Sequence, residues 1–375
     1  MPDRDISVEH NWAFVTGEPQ LTASIKHSPE DFVVEEQLGF EPDGRGEHLF
    51  LRLQKRNLTT TEVATTLATT LGLRRVDVGY AGMKDRRAQT CQWFSVLLPT
   101  SRESQLVNLE SNDLKVLETR RNGRKLKIGA HEGNRFELRL RNIVGDRQVL
   151  EKKLEWLHHY GVPNYFGQQR FGRDLSSLHQ VRQLLMAADN RTVAQGNSIL
   201  GRQKRSLLYS AARSYLFNQL LSARVKEQCW NRYIEGDVLA LDGSKRLFTV
   251  EPGKWDDKLQ NRLARLDIHL TGCLAGYREN NQYYETCGSA ADMEKRVLAD
   301  YPDLLSGLVR HGLRAGRRTL RFRLRELTWK WPVENELKLE VTLPAGAYAT
   351  SLLRELCRES PAVADEEATG RVVGR

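Results

Sequence analysis

Leucine or another apolar residue recurs at every second position in four stretches of this chain, with polar or charged residues between. In HLFLRLQK, Leu49, Leu51 and Leu53 face one way; in NRFELRLRNI, Phe136, Leu138 and Leu140 oppose Glu137, Arg139 and Arg141. LRFRLRELTW alternates Leu320, Phe322 and Leu324 with arginines, and ELKLEVTL spaces Leu337, Leu339, Val341 and Leu343 in the same way. This period predicts half-buried strands, and one-sided alternation predicts antiparallel pairing with one packed face and one wet face. Between them, Thr59-Thr60-Thr61-Glu62 has the form of a capping box, followed by Val63, Leu67 and Leu71 at helical spacing and Gly72 as a stop. A longer helix is predicted over 206–225, with Leu208, Ala212, Tyr215 and Leu216 as its buried stripe and Arg205 and Arg213 elsewhere on its surface.

The chain is therefore strand-rich, then helical from about 150 to 225, mixed to about 315, and strand-rich again. That order predicts a discontinuous domain: a sheet begun by residues 1–155, interrupted, and completed by 320–360. No internal repeat or low-complexity tract is evident, and the tail PAVADEEATGRVVGR is small and polar.

Composition narrows the function. A length of 375 residues suits two domains, and a net charge of +9 points to an anionic partner, nucleic acid before membrane. No apolar span or strongly amphipathic anchor is present, so no membrane contact is expected. The opening MPDRDISVEHNWAF lacks the basic-then-apolar layout of a secretion signal. Five scattered cysteines without a CxxC pair argue against zinc ribbons and disulfide scaffolds and fit a reducing cytoplasm. His158 and His159 are adjacent, which on a helix sets them about 100° apart, and no metal site is expected.

Five segments hold more special residues than packing requires: SIKHSPEDFVVEE (24–36), YAGMKDRRAQT (80–90), HEGNRFELRLR (131–141), VPNYFGQQRFG (162–172) and LPAGAYATSLLREL (343–356). The second is the most unusual, setting Asp85 among Lys84, Arg86 and Arg87. Read alone, such an acid balances surface charge; facing a bound polyanion, it is a carboxylate kept ionised for chemistry.

In this order the five segments resemble the TruD family of tRNA pseudouridine synthases, over about residues 20–360. The resemblance implies isomerisation of uridine 13 in tRNA to pseudouridine without a cofactor. It also implies an α+β fold: a mixed, largely antiparallel sheet of the pseudouridine synthase type, interrupted by a second α/β insertion domain. The catalytic domain is then 1–159 with 319–375, and the insertion 160–318. Carried over to matching positions, Asp85 looks like the catalytic aspartate, and Phe32, Asn134 and Tyr348 look like contacts to the target nucleotide. Relatives often carry Phe at the last of these, so Tyr348 adds a hydroxyl without an assigned use. Phe136 and Lys26 look like stand-ins for the tyrosine and basic residue that many other pseudouridine synthases keep beside the aspartate.

These residue types suit the reaction. Asp85 must be ionised to serve as nucleophile at C1′ or as base at C2′, and a nearby cation such as Lys26 favours that form. Guanidinium forks match phosphate, so Arg86 and Arg87, with Lys84, are expected on the RNA backbone. Phe32 and Tyr348 can flank a flipped uracil, Asn134 can bond its edge, and Phe136 can keep the site dry. VPNYFGQQRFG reads better as a structural brace, through Arg170 and its amides, than as catalytic machinery. A non-catalytic RNA-binding protein and a metal-dependent nuclease are the competing classes; the former has no use for Asp85, and the latter wants clustered acids. Besides tRNA, no obligate partner is expected, and the chain is expected to be a monomer.

Overall fold

The computed structural model describes residues 12–167, 170–172, 175–186, 201–279 and 284–360, with the backbone alone at 202 and 203. Gln168, Gln169 and the PAVADEEATGRVVGR tail lie outside the described residues. The chain divides into two compact units: one is formed by the chain up to Glu18, Glu151–Leu324 and Gly346–Glu355, the other by Pro19–Leu150, Arg325–Ala345 and the chain from Leu356.

The second unit is a ten-stranded mixed sheet. Its main path runs Arg325–Val333, Glu336–Pro344, Gly133–Val144, Phe32–Gln37, Gln89–Leu97, His48–Arg56 and Leu114–Asn122. All neighbours on that path are antiparallel except Phe32–Gln37 against Gln89–Leu97. Three of the four predicted strands lie here, and their apolar sets are buried: Leu49, Leu51 and Leu53; Phe136, Leu138 and Leu140; Leu337, Leu339, Val341 and Leu343. The Thr60–Thr70 helix covers the His48–Arg56 side, burying Val63, Ala64 and Leu67 in the cluster that holds those leucines. Its capping box is present, with the Glu62 N–H donating to Thr59 Oγ1 at 3.1 Å and the Thr59 N–H to Glu62 Oε2 at 2.7 Å.

The first unit joins a four-stranded sheet, ordered Leu247–Thr249, Val238–Leu241, Ile268–Leu274 and Gly316–Thr319, to the long Arg202–Lys226 helix. Leu208, Ala212, Tyr215 and Leu216 are buried as predicted. LRFRLRELTW departs from its prediction. It is not one half-wet strand: Arg321–Phe322 pairs with Val162–Pro163 in the first unit, while Arg325–Val333 belongs to the large sheet. Arg321, read as a wet-face residue, is buried, donating to the Tyr160 and Leu263 carbonyls, and burial pulls its guanidinium down to about 10.

The compact units also cross the sequence limits 1–159, 160–318 and 319–375. The Ala349–Leu356 helix groups with the 151–324 segment because Ser351 donates to the Tyr165 carbonyl, Arg354 to the Trp12 and Ala13 carbonyls, and the Val15 N–H to Glu355. Among the described residues, no helix is long and apolar enough to cross a membrane.

Candidate active site

Asp85 lies in the loop from Gly79–Tyr80 to the Gln89–Leu97 strand. Its carboxylate meets Lys26, Nζ to Oδ2 2.6 Å, and both side chains keep part of their surface in solvent. Lys26 follows the Thr22–Ile25 strand with φ +56°, in the left-handed region that few residues with a side chain adopt. There its ammonium stands 4.0 Å from the Phe32 ring centroid, and Phe32 packs edge-on against Phe136 with centroids 5.9 Å apart. The turn Pro29–Asp31 sets the start of the Phe32 strand and is tied by Arg141 to Asp31 at 2.9–3.0 Å. Burial pushes the Asp31 carboxyl up, and the Arg141 guanidinium with the Ser28 amide outweighs it, leaving Asp31 below the usual aspartate range.

Sheet register supplies the rest. The Gly133–Val144 strand lies between two neighbours: Glu36 and Leu343 oppose Asn134, and Val34 and Val341 oppose Phe136. Side chains two apart share a face, so Phe32, Val34, Glu36, Asn134 and Phe136 line one surface. Lys84 enters this surface from the Asp85 loop, 2.9 Å from Glu36 Oε2, and donates to Asn134 Oδ1. Glu36 is shut off from solvent and also accepts the Trp93 N–H at 3.1 Å.

That geometry corrects the expectation for Lys84, whose side chain is 6% exposed and turned inward to Glu36, so it is spent within the fold rather than on an RNA phosphate. Breaking a buried pair strands the remaining charge. Lys84→Met is expected to lower unfolding stability by about 3–5 kcal/mol, measured in urea; a loss under about 1 kcal/mol, the level of surface pairs, would contradict this placement.

Sequence reading missed the group beneath Asp85. Lys55 is fully buried and donates to two backbone carbonyls, Leu58 at 2.6 Å and Asp85 itself at 2.9 Å. Two further buried side chains hold the same loop: Thr60 Oγ1 accepts the Lys84 N–H at 2.9 Å and donates to Gln92 Oε1, while Gln92 Nε2 donates to the Gly82 carbonyl at 2.6 Å. Burial pulls the Lys55 ammonium down to about 8, with the Asp85 carboxylate opposing the fall and Lys84 adding to it. The signal was in HLFLRLQK, where Lys55 shares the parity of Leu49, Leu51 and Leu53 and so points to the packed face.

Arg86 and Arg87 point outward. Arg86 is paired with Glu62, the capping residue of the neighbouring helix, whereas Arg87 has no acid partner among the described residues. Tyr348 belongs to the first unit. There its ring lies 6.0 Å from Phe166, and Arg318 stacks on Phe166 at 4.0 Å and stands 6.0 Å from the Tyr348 ring. Asn164, from the brace motif, accepts from Arg318 through its Oδ1 and its carbonyl. The structure thus brings Lys26, Phe32, Lys84, Asp85, Asn134 and Phe136 together on one unit and builds the Tyr348 surroundings on the other.

Comparison with known proteins agrees with this architecture. The family model described as tRNA pseudouridine synthase D (TruD) matches residues 10–196 and 186–356. A tRNA pseudouridine synthase D of Methylococcus capsulatus is 42% identical over 345 residues, 92% of this chain and 94% of its own. Its counterpart in Nitrosococcus oceani is 44% identical over 350 residues, 92% and 94%. A crystal structure from Methanosarcina mazei, described as a TruD protein, shares the fold with a TM-score of 0.67 at 22% identity, covering 92% of this chain and 95% of its own. On these matches and the fold they share, the chain belongs to the tRNA pseudouridine synthase D (TruD) family.

Proposed function

We propose that this chain is an isomerase that converts uridine 13 of tRNA to pseudouridine, with Asp85 as its one catalytic carboxylate and no cofactor. The observation that carries this is the Lys26–Asp85 pair, 2.6 Å long and set beside Phe32. The reaction breaks N1–C1′, turns the uracil and joins C5 to C1′; C5 gives up a proton and N1 takes one. Atoms and electrons balance within the nucleoside, so no redox partner or nucleotide cofactor enters. Hydrolytic glycosidases use two carboxylates because one must protonate a leaving group. Uracil leaves as a delocalised anion, and one carboxylate suffices.

Lys26 holds the Asp85 carboxylate through Oδ2, leaving Oδ1 to attack C1′ or to take the C2′ proton, and later to accept the proton from C5. Because Lys84 occupies Asn134 Oδ1, the Asn134 amide offers its NH2 and meets the uracil edge as a donor to a carbonyl. Phe32 and Phe136 form an apolar wall that strengthens these charge contacts. The ten-stranded unit is the catalytic one, and residues 160–318 form the family's insertion; the chain works as a monomer in the cytoplasm.

Of the outward arginines, Arg87 is the phosphate ligand, since Arg86 is shared with Glu62. Arg87→Ala is expected to weaken tRNA binding and to reduce the slope of log Kd against log salt by about 0.7–0.9, one phosphate contact. An unchanged slope would remove Arg87 from the backbone contacts. The activity is tested by mapping pseudouridine by mass spectrometry in a tRNA transcript before and after incubation with the protein.

A further inference from the structure

In the first unit, some arginines have a carboxylate partner and others have none. Arg182, Arg296 and Arg314 pair with Asp303, Glu227 and Glu279. Arg170, Arg205 and Arg318 are among those that make no ion pair among the described residues. Arg318, beside Tyr348, donates among the described residues only to neutral oxygens of Asn164 and Gly346, and burial pulls it down to about 10. Arg170 lies 5.9 Å from the Phe166 ring on which Arg318 stacks, and donates to Ser210 on the Arg202–Lys226 helix. Ser210 in turn lines a cavity of about 510 Å³.

That cavity has the make-up of a nucleotide site. Arg205, Tyr209 and Arg213 present to it at four-residue spacing from one helix face, and His311 closes it from another segment. The Tyr209 hydroxyl meets His311 Nδ1 at 3.0 Å, with ring centroids 5.3 Å apart, so two flat rings are fixed against each other. Burial, with Arg310 and Arg205 nearby, holds His311 below the usual histidine range and favours a neutral stacking ring at pH 7. No acidic side chain lines the cavity among the described residues. Cations beside aromatic faces, with serine hydroxyls between, suit single-stranded RNA: phosphate on guanidinium, base on ring.

We propose that the cavity binds one unpaired nucleotide of the RNA substrate, its base against Tyr209 and His311 and its phosphate on Arg205, while Arg170 and Arg318 carry the strand from there toward Tyr348. This inference rests on the RNA substrate of the function proposed above and adds a second recognition site to it.

Fluorescence anisotropy of a labelled tRNA transcript with the full chain, at several salt concentrations, tests it. Tyr209→Ala is expected to weaken binding about 5- to 100-fold through the lost stack. Tyr209→Phe, which keeps the ring, should stay within about two-fold of the parent. Arg205→Gln should flatten the salt slope by about 0.7. Because the Arg205 side chain makes no hydrogen bond or ion pair among the described residues, that variant is sound even where Tyr209→Ala loosens the helix. Equal affinity of the Ala and Phe variants, with an unmoved slope for Arg205→Gln, would overturn the proposal and leave an ordinary solvated helix face. Pseudouridine formation by the parent on the same transcript keeps the two readings apart: it can succeed while the cavity variants bind normally, and anisotropy reads the cavity if it fails.

Discussion

Asp85→Asn is expected to bind tRNA within about two-fold of the parent and to lose pseudouridine formation by about 10⁴-fold or more, as when a reacting group is removed from its constellation. The amide keeps the shape of the carboxylate and can still accept from Lys26, so the loop anchored by Lys55, Thr60 and Gln92 is left in place. What disappears is the anion, and with it both the attack on C1′ and the capacity to take a proton. Mass-spectrometric mapping of the transcript, run beside anisotropy, separates the two effects. Modification at the parent's rate would sink the assignment, and a matching loss of binding would turn the chain into an RNA-binding protein whose Asp85 is structural.

Lys55→Met is expected to lower kcat about 10²-fold, the scale of an ångström-sized misplacement of a reacting group, with Kd for tRNA little changed. Lys55 touches no substrate in this account; it fixes the carbonyl of the residue that does. Its charge supplies a second readout. Burial puts its ammonium at about 8 in the folded chain against 10.5 for an ordinary lysine, so it is charged below pH 8 and neutral above it. Activity of the parent should therefore fall as pH rises through about 8, as the cation facing Asp85, Lys84 and Glu62 is lost, and the methionine variant should lack that fall. Stability runs the other way. Between about 8 and 10.5 the unfolded lysine keeps a proton that the folded one has released, so this group's contribution to stability rises with pH. An alkaline loss of activity accompanied by unfolding, or one that persists in Lys55→Met, would rule out Lys55 as its source.

Much of this fold could be read from periodicity because the relevant forces are local. The capping box at Thr59, the stripe Leu208–Leu216 and the alternating strands at 49–53, 136–140 and 337–343 all depend on neighbours within a turn or a pleat. The misreadings share a different cause. Charge alone puts Arg321 on a wet face and Lys84 on the RNA backbone, yet each finds buried acceptors supplied by distant segments, Tyr160 and Leu263 for one, Glu36 and Asn134 for the other. Alternation says which side a residue faces, not what waits there. Lys55 had the parity of a buried position and was passed over for its polarity. The apposition of Lys26 with Asp85 and of Glu36 with Asn134 arises from sheet register between strands far apart in the chain, which no single segment encodes.

The strand Glu336–Pro344 bears on when the protein becomes reactive. It flanks Asn134 and Phe136 in the sheet, yet the chain reaches it only after the whole Glu151–Leu324 segment of the first unit. A ribosome must therefore deliver that segment before the surface around Asp85 has its full complement of neighbours, and domains generally fold as units. Until that strand is made, a nascent chain carries Asp85 without the neighbour that flanks Asn134 and Phe136.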